Sequence, residues 1–173
     1  MDDKRRRFED LALPHLDSAY NLARWLCRSP AEAEDIVQDA MLRAFRGIDG
    51  FRGRDIKPWL LQIVRNCWRN EIGRKRRHAA VPLADEKSAH AIASDQPDPE
   101  MEALQRADGR RLDLLLDALP AEFREVLILR EMEDMSYREI AQAIEAPIGT
   151  VMSRLARARA LLKERWIAEG GTP

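Results

Sequence analysis

The chain has 173 residues, of which 45% are apolar and 34% are charged, and its 29 basic and 30 acidic residues leave a formal net charge of -1. This composition is too apolar for a disordered chain and too charged for a membrane protein, and no apolar run approaches the roughly 18 to 20 residues that span a bilayer. No signal-peptide core follows MDDKRRRFED, so a soluble, cytoplasmic protein without membrane insertion is expected. Cys27 and Cys67 show no CxxC or cysteine-histidine spacing, and therefore no metal, cofactor or disulfide is predicted.

Residues 29–48 carry the signals of an amphipathic helix. Ser29 is the predicted N-cap, Pro30 suits the first helical position, and Glu32 supplies the returning carboxylate of a capping box. Apolar residues then recur at three- and four-residue steps until two glycines end the pattern. The acidic residues on the other faces would repel nucleic acid, which leaves a solvated face or a protein-docking surface as the alternatives.

Residues 51–78 form the most basic segment of the chain. The loop FRGRDIKP is followed by a second predicted helix, whose apolar stripe runs from Trp59 to Trp68. The segment holds nine basic and two acidic residues, a net charge of +7, which indicates a polyanionic partner. Asn66, Asn70 and the two tryptophans suit recognition of unstacked bases in single-stranded DNA, although a place in the core is the more common alternative for each tryptophan.

The middle of the chain is acidic. Residues 79–109 hold two basic and seven acidic residues, together with prolines and few large apolar side chains, so most of this segment is predicted to be a flexible linker. A domain of roughly 70 residues buries only about 60% of its unfolded surface, and each flanking domain is therefore expected to be marginal alone.

The C-terminal segment is predicted to contain a helix-turn-helix. One helix opens near residue 98 and ends before Pro120, and another follows it. A capping box at Ser136 and Glu139 then starts a short helix, a proline-glycine turn interrupts it, and Thr150 caps the last helix. Because no period-two alternation occurs anywhere, the predicted fold class is all-α: two small helical domains joined by a flexible linker, with the helix-turn-helix in the second.

The last predicted helix turns its arginines outward, and residues 149–165 carry a net charge of +4. A helix-turn-helix binds duplex DNA by placing the N-terminus of its second helix in a groove, where arginines reach phosphates and guanine edges. A solvated basic face is the more common alternative for a lone arginine-rich helix. The succession of cap, turn and second cap favours DNA binding here.

Together, these motifs resemble those of the bacterial extracytoplasmic-function (ECF) RNA polymerase sigma factors. AEDIVQDAMLRAFRGIDGFRG resembles that family's core-polymerase-binding helix, and PWLLQIVRNCWRNEIGRKRR resembles its promoter-melting and -10 segment. LPAEFREVLILREMEDMSYREIAQAIEAPIGTVMSRLARARALL is similar to its -35-reading domain. The resemblance implies sigma region 2 in residues 1–78, an acidic linker in residues 79–100 and sigma region 4 in residues 101–173.

The resemblance also implies function and site residues. It implies a non-enzymatic protein that binds core RNA polymerase, directs promoter-specific initiation at -10 and -35 elements, and has a cognate anti-sigma factor as a further partner. The residues implied for binding core polymerase are Asp35, Gln38, Asp39 and Arg43. For the -10 element, the basic segment and the resemblance together indicate Arg52, Arg54, Lys57, Arg65, Asn66, Arg69, Asn70 and Arg74. For the -35 element, they indicate Thr150, Met152, Ser153, Arg154 and Arg157.

Two other classes of protein compete with this interpretation. A stand-alone helix-turn-helix regulator would normally dimerise, but no dimerisation helix is predicted and such a regulator would not use a second basic domain. An enzyme is the weakest alternative, because His15, His78 and His90 lie in unrelated contexts and no nucleophile-base pair or glycine-rich phosphate loop occurs.

Overall fold

The computed structural model describes residues 2–27, 29–78 and 109–170, and these residues form helices and connecting loops without a β-strand. The predicted all-α fold class is therefore confirmed. The linker predicted over residues 79–100, like the predicted helix start near residue 98, lies outside the described residues. None of the described helices combines the length and apolar content that a bilayer-spanning segment needs.

Within the described residues 2–27 and 29–78, the first half of the molecule forms four helices. They are α1 (Asp2–Leu11), α2 (Leu16–Leu26), α3 (Pro30–Gly47) and α4 (Ile56–His78), with short 3-10 turns at Leu13–His15 and Ile48–Gly50.

The second half begins with α5, which is helical over the described residues 109–117. It continues through α6 (Ala121–Leu127), a π-helical turn (Ile128–Met132), α7 (Tyr137–Ile144) and α8 (Ile148–Ala168).

The start of α3 follows the sequence signals in part: the predicted N-cap forms, whereas the Glu32 carboxylate, predicted to complete a capping box, pairs with Lys75 of α4. Ser29 Oγ accepts the backbone N–H of Glu32 at 3.2 Å, as predicted for the N-cap. The loop predicted for residues 51–58 is shorter, because α4 already begins at Ile56. The carboxylate of Asp55 accepts the backbone N–H of Lys57 at 2.9 Å, and Pro58 falls in the first turn, where its missing N–H removes no helical hydrogen bond.

The helix-turn-helix is present, with one correction. Both halves of the capping box at Ser136 form: Ser136 Oγ accepts the N–H of Glu139 at 3.3 Å, and Ser136 N donates to Glu139 Oε2 at 2.6 Å. The turn is made by Glu145 in the left-handed region, with φ 54°. Thr150 is not the N-cap of α8, because the carbonyl of Pro147 accepts its N–H at 3.0 Å and it already lies inside the first turn.

The sequence analysis did not predict α1, whose mostly charged sequence lacks an apolar stripe. Phe8 holds the helix in place by packing edge-on against Phe45 of α3, with ring centroids 5.3 Å apart. Lys4 pairs with Asp49 at 3.0 Å, and Arg7 donates to the carbonyl of Phe51 at 2.7 Å. These contacts close the end of the first half at which α3 passes into α4.

One apolar cluster runs through both halves of the molecule. Its fully buried members include Leu60 and Val64 of α4, Val126 of α6, and Ile140 of α7. Helix α4 packs against α7, and α2 packs against α6. The two helical domains are therefore joined across a shared interface as well as through the chain that connects them.

Candidate functional site

Helix α8 separates a buried stripe from an exposed one. Val151, Leu155 and Ala158 are buried, whereas Met152, Ser153 and Arg157 are exposed along one side. A recognition helix inserts exposed residues of its N-terminal half into the groove of DNA. These three residues lie in the N-terminal half of α8 and point away from the core. The structure thus brings three of the five predicted -35 residues onto one open surface.

The other two predicted -35 residues are less available. Arg154 is partly buried, with guanidinium nitrogens 3.5 Å from Glu125 Oε1 and 3.6 Å from Glu122 Oε2. Thr150 is also partly buried, and its carbonyl accepts Ser153 Oγ at 3.0 Å. Arg159, outside the predicted set, is exposed and pairs with Glu131 at 2.7 Å, which raises the pKa of the guanidinium.

The predicted -10 residues do not form a single surface. Arg52 and Arg54 are exposed in the loop before α4, and Arg52 donates to the carbonyls of Asp49 and Phe51. This loop folds tightly over Phe51: a Cβ at Gly53 would lie 2.7 Å from the Phe51 ring, so a larger residue there would have to displace that ring.

Lys57 and Arg65 instead face the second half of the molecule. Arg65 donates from Nε and Nη2 to the two carboxylate oxygens of Glu125 at 2.7 and 3.2 Å, and the two side chains are only 8% and 3% exposed. Lys57 Nζ donates to the Glu133 carbonyl at 2.8 Å and lies 2.9 Å from its Oε2. Two of the eight predicted -10 residues are therefore paired with carboxylates of the second half.

The remaining -10 residues lie farther along α4. Asn66 is partly buried, whereas Arg69 and Asn70 are exposed. Arg74 donates to both carboxylate oxygens of Glu71, at 2.9 and 2.6 Å. That pairing holds the pKa of Glu71 below its ordinary value.

A groove of about 390 Å³ lies between α3 and α4. It brings together three predicted core-polymerase residues, Asp35, Asp39 and Arg43, with Asn70 and Arg74 from the -10 set. Gln38 is exposed outside this lining. Arg43 Nη2 lies 3.0 Å from Asp39 Oδ2, and the hydrogen bond from Arg43 lowers the pKa of Asp39.

The two cysteines contribute no reactive group to this groove. Burial and a hydrogen bond with Asp39 raise the pKa of Cys67 to about 12, and burial raises the pKa of Cys27 to about 11. Both thiols are therefore neutral at pH 7. Within the described ranges, no cluster of three or more histidine, cysteine, aspartate or glutamate residues could hold a metal ion.

Both tryptophans of α4 pack against the apolar cluster and are partly buried. The Trp59 ring lies 5.2 Å from the ring of Phe51 and approaches the backbone of Gly47. This placement agrees with the core alternative considered for Trp59 and Trp68.

Two family models match the chain: Sigma-70 region 2 over residues 11–78 and Sigma-70, region 4 over residues 109–162. The RNA polymerase sigma-H factor of Pseudomonas aeruginosa is 32% identical over 90% of this chain and 83% of that protein. The ECF RNA polymerase sigma-E factor of Haemophilus influenzae is 30% identical over 83% of this chain and 78% of that protein. The ECF sigma factor SigE of Mycolicibacterium smegmatis is 30% identical over 91% of this chain, which spans 60% of that relative's length.

A solved structure is similar in fold. The sigma factor RpoE of Bartonella quintana, in complex with the anti-sigma factor NepR, matches with a TM-score of 0.72 and 28% identity, over 88% of this chain and 91% of that one.

A helix-turn-helix whose last helix exposes Met152, Ser153 and Arg157 is typical of a DNA-binding protein. The matches to both sigma regions and to relatives across most of the chain are more specific: the chain belongs to the ECF RNA polymerase sigma factors. Sigma factors are transcription initiation factors that do not themselves catalyse a reaction.

Proposed function

We propose that this chain binds core RNA polymerase in the cytoplasm and directs it to promoters. Its second half recognises a -35 element in duplex DNA, and its first half recognises and helps to open a -10 element. The polymerase carries out RNA synthesis, and the chain itself is not an enzyme. The main observation in support of this proposal is the exposed face of α8, which is the second helix of a complete helix-turn-helix.

The chemistry of α8 suits the edges of base pairs. A guanidinium such as that of Arg157 can donate two hydrogen bonds to guanine O6 and N7, and a hydroxyl such as that of Ser153 can donate or accept. The apolar Met152 side chain, which is 53% exposed, can contact a thymine methyl group.

The first half supplies a different kind of surface. Arg52, Arg54 and Arg69 are exposed cations, and Asn70 adds an exposed amide that can hydrogen-bond to an unpaired base. Exposed cations and amides suit a single strand whose backbone is neutralised and whose bases are contacted at their edges.

The groove between α3 and α4 supports the docking of core polymerase. Asp35 and Asp39 make one wall acidic, which disfavours DNA, while Arg43 sets a cation beside them. Alternating charges of this kind give a protein interface orientation and selectivity. The similarity to a sigma factor bound to its anti-sigma factor further supports an anti-sigma protein as a partner of this chain.

A charge reversal on α3 tests the docking surface. Asp35→Lys is expected to abolish co-purification with core polymerase and promoter-dependent run-off transcription, because it places a cation where an acidic surface is proposed to dock. Glu34→Lys is the matched control: it makes the same charge change on an exposed neighbour that lies outside the groove. Successive helical side chains point about 100° apart, so the control is expected to retain both activities.

Circular dichroism verifies that both variants fold. Retention of polymerase by Asp35→Lys, or equal loss in both variants, would place the docking surface elsewhere. Failure of the wild-type chain to bind core polymerase at all would reject the proposed function.

A further inference from the structure

The interface between the two halves holds two acid-base pairs, and both use predicted -10 residues. Arg65 of α4 meets Glu125 of α6 through two hydrogen bonds, and both side chains are nearly excluded from water. Lys57 meets Glu133, whose side chain is 4% exposed. In this arrangement neither cation can contact a phosphate, because a carboxylate occupies the position that the phosphate would take.

Glu125 links the two predicted DNA-binding surfaces. The carboxylate that accepts both hydrogen bonds from Arg65 also lies 3.5 Å from Arg154 of α8. One buried acid therefore engages a residue predicted for the -10 element and a residue predicted for the -35 element. Because Glu125 and Arg154 both belong to the second half, separation of the halves would release Arg65 and leave Arg154 beside this carboxylate.

Glu133 is equally well enclosed. Asn21 Nδ2 donates to its Oε1 at 3.4 Å. Burial alone would raise the pKa of Glu133, but hydrogen bonds with Ser18 and Lys57 outweigh burial and lower it, so the group is ionised at pH 7. Arg124 adds a further contact across the interface by donating to the carbonyl of Trp25 at 2.9 Å.

We propose that Glu125 and Glu133 form an interdomain latch that keeps the free protein closed and withholds Arg65 and Lys57 from promoter DNA. Opening exchanges these carboxylates for DNA phosphates or base edges as the partners of the two cations. The proposal rests on the proposed function, because it assigns a regulatory state to the same DNA-binding residues.

The energetics of buried ion pairs make such a latch reversible. The loss of hydration on burying two charges nearly cancels their attraction, so an intact pair adds little net stability. Removal of one partner leaves the other charge buried and unpaired, which is strongly destabilising. Arg65 Nη1 is buried without a hydrogen-bond partner among the described residues, which opposes closure further. A phosphate matches the guanidinium fork as well as a carboxylate does, so DNA can replace the acids.

The proposed polymerase-docking face stays open in the closed form. Asp35, Gln38 and Arg43 are all exposed, and the groove between α3 and α4 is lined by neither Arg65 nor Lys57. Core polymerase can therefore bind the closed protein before the latch opens, whereas DNA cannot reach the withheld cations.

Small-angle scattering of the full chain measures the latch directly. Glu125→Gln and the double variant Glu125→Gln/Glu133→Gln are expected to increase the radius of gyration, because each strands a buried cation. The expected shift in the ratio of open to closed protein is roughly a hundredfold for each pair broken. Glu131→Gln is the matched control, since it removes the same charge and breaks the Arg159 pair entirely within the second half.

DNA binding by the free protein provides a second readout. Glu125→Gln is expected to bind promoter duplex at least about tenfold more tightly than Glu131→Gln, which has lost the same single negative charge. A double variant as compact as wild type, or one that binds DNA no better than the control, would overturn the latch. A wild-type protein that is already extended in solution would overturn it as well.

Core-polymerase binding separates failure of the latch from failure of the proposed function. All these variants are expected to retain polymerase, because none changes the α3 surface. If they retain it without opening, the latch alone is wrong; if no form binds polymerase, the proposed function is wrong. Should Glu125→Gln fail to fold by circular dichroism, Glu133→Gln alone provides the same test.

Discussion

Three arginines of α8 differ in exposure and in their contacts, although they lie within six residues of one another. Arg154 contacts Glu125 and Glu122, and Arg159 pairs with Glu131, whereas Arg157 is exposed between them. Of these three arginines, Arg157 is therefore the one that we propose meets a base.

Substitution of Arg157 tests this assignment. Arg157→Ala is expected to weaken promoter binding by the holoenzyme by about 1–3 kcal/mol and to relax preference at one base pair of the -35 element, because a bidentate contact to guanine is lost. Fluorescence anisotropy on a set of single-base promoter variants measures both effects. Lys163→Ala, an exposed position farther along α8, is the control and is expected to weaken all sequences slightly and equally. If Arg157→Ala behaves in the same way, Arg157 contacts a phosphate and not a base.

At the same scale, sequence analysis could not distinguish Arg65 from Arg69. Both are arginines in one basic segment, yet Arg65 is buried against Glu125 and Arg69 is exposed. The glutamates at 125 and 133 carried no signal in the sequence, because a carboxylate in a helix is normally a solvated side chain.

Among the elements, α7 is the one whose local signals and structure agree most closely. The capping box at Ser136 satisfies backbone donors that the helix cannot satisfy itself. Because this helix is only eight residues long, its cap contributes a large share of its local stability.

Removal of the cap tests that contribution. Ser136→Ala is expected to lower the free energy of unfolding by about 1 kcal/mol, because the N–H of Glu139 loses its acceptor. Urea denaturation of the full chain measures the change. Ser153→Ala is the control, since that hydroxyl bonds to a carbonyl within α8 and caps nothing. Equal stability of Ser136→Ala and wild type would show that tertiary packing alone holds α7.

The errors at this scale share a cause. Thr150 was expected to cap α8 and Trp59 to follow a longer loop, but Pro147 and Asp55 start the two helices earlier. Each segment contains more than one residue able to begin a helix, and packing selects among them. Helix α1 was not predicted, because its order depends on contacts with Phe45 and Asp49 from a distant part of the chain.

At the scale of the whole molecule, folding stabilises the ionised form of several carboxylates relative to the unfolded chain. Hydrogen bonds lower the pKa of Asp39, Glu133 and Glu139 from ordinary values of 3.8 for the aspartate and 4.5 for the glutamates. For Glu133, those bonds overcome an opposing effect of burial.

A group whose pKa is lowered by folding stabilises the protein above its unfolded pKa and loses that contribution as the pH falls through its folded pKa. The free energy of unfolding is therefore expected to be constant near neutral pH and to decline as the pH falls below about 4.5, the ordinary value for glutamate. Urea midpoints measured from pH 7 down to pH 3 check this. Glu133→Gln is expected to flatten the decline, and a stability that rises on acidification would contradict the assigned direction.

The sequence by itself determined the helical class, the caps of α3 and α7, the helix-turn-helix and the family. All of these depend on residues close together in the chain, where spacing and side-chain chemistry suffice. The tertiary structure alone decided which cations are available, because the carboxylate that binds Arg65 lies 60 residues away and is brought to it by the packing of α4 against the second half. Ion-pair partners follow from three-dimensional proximity, and no local pattern encodes that.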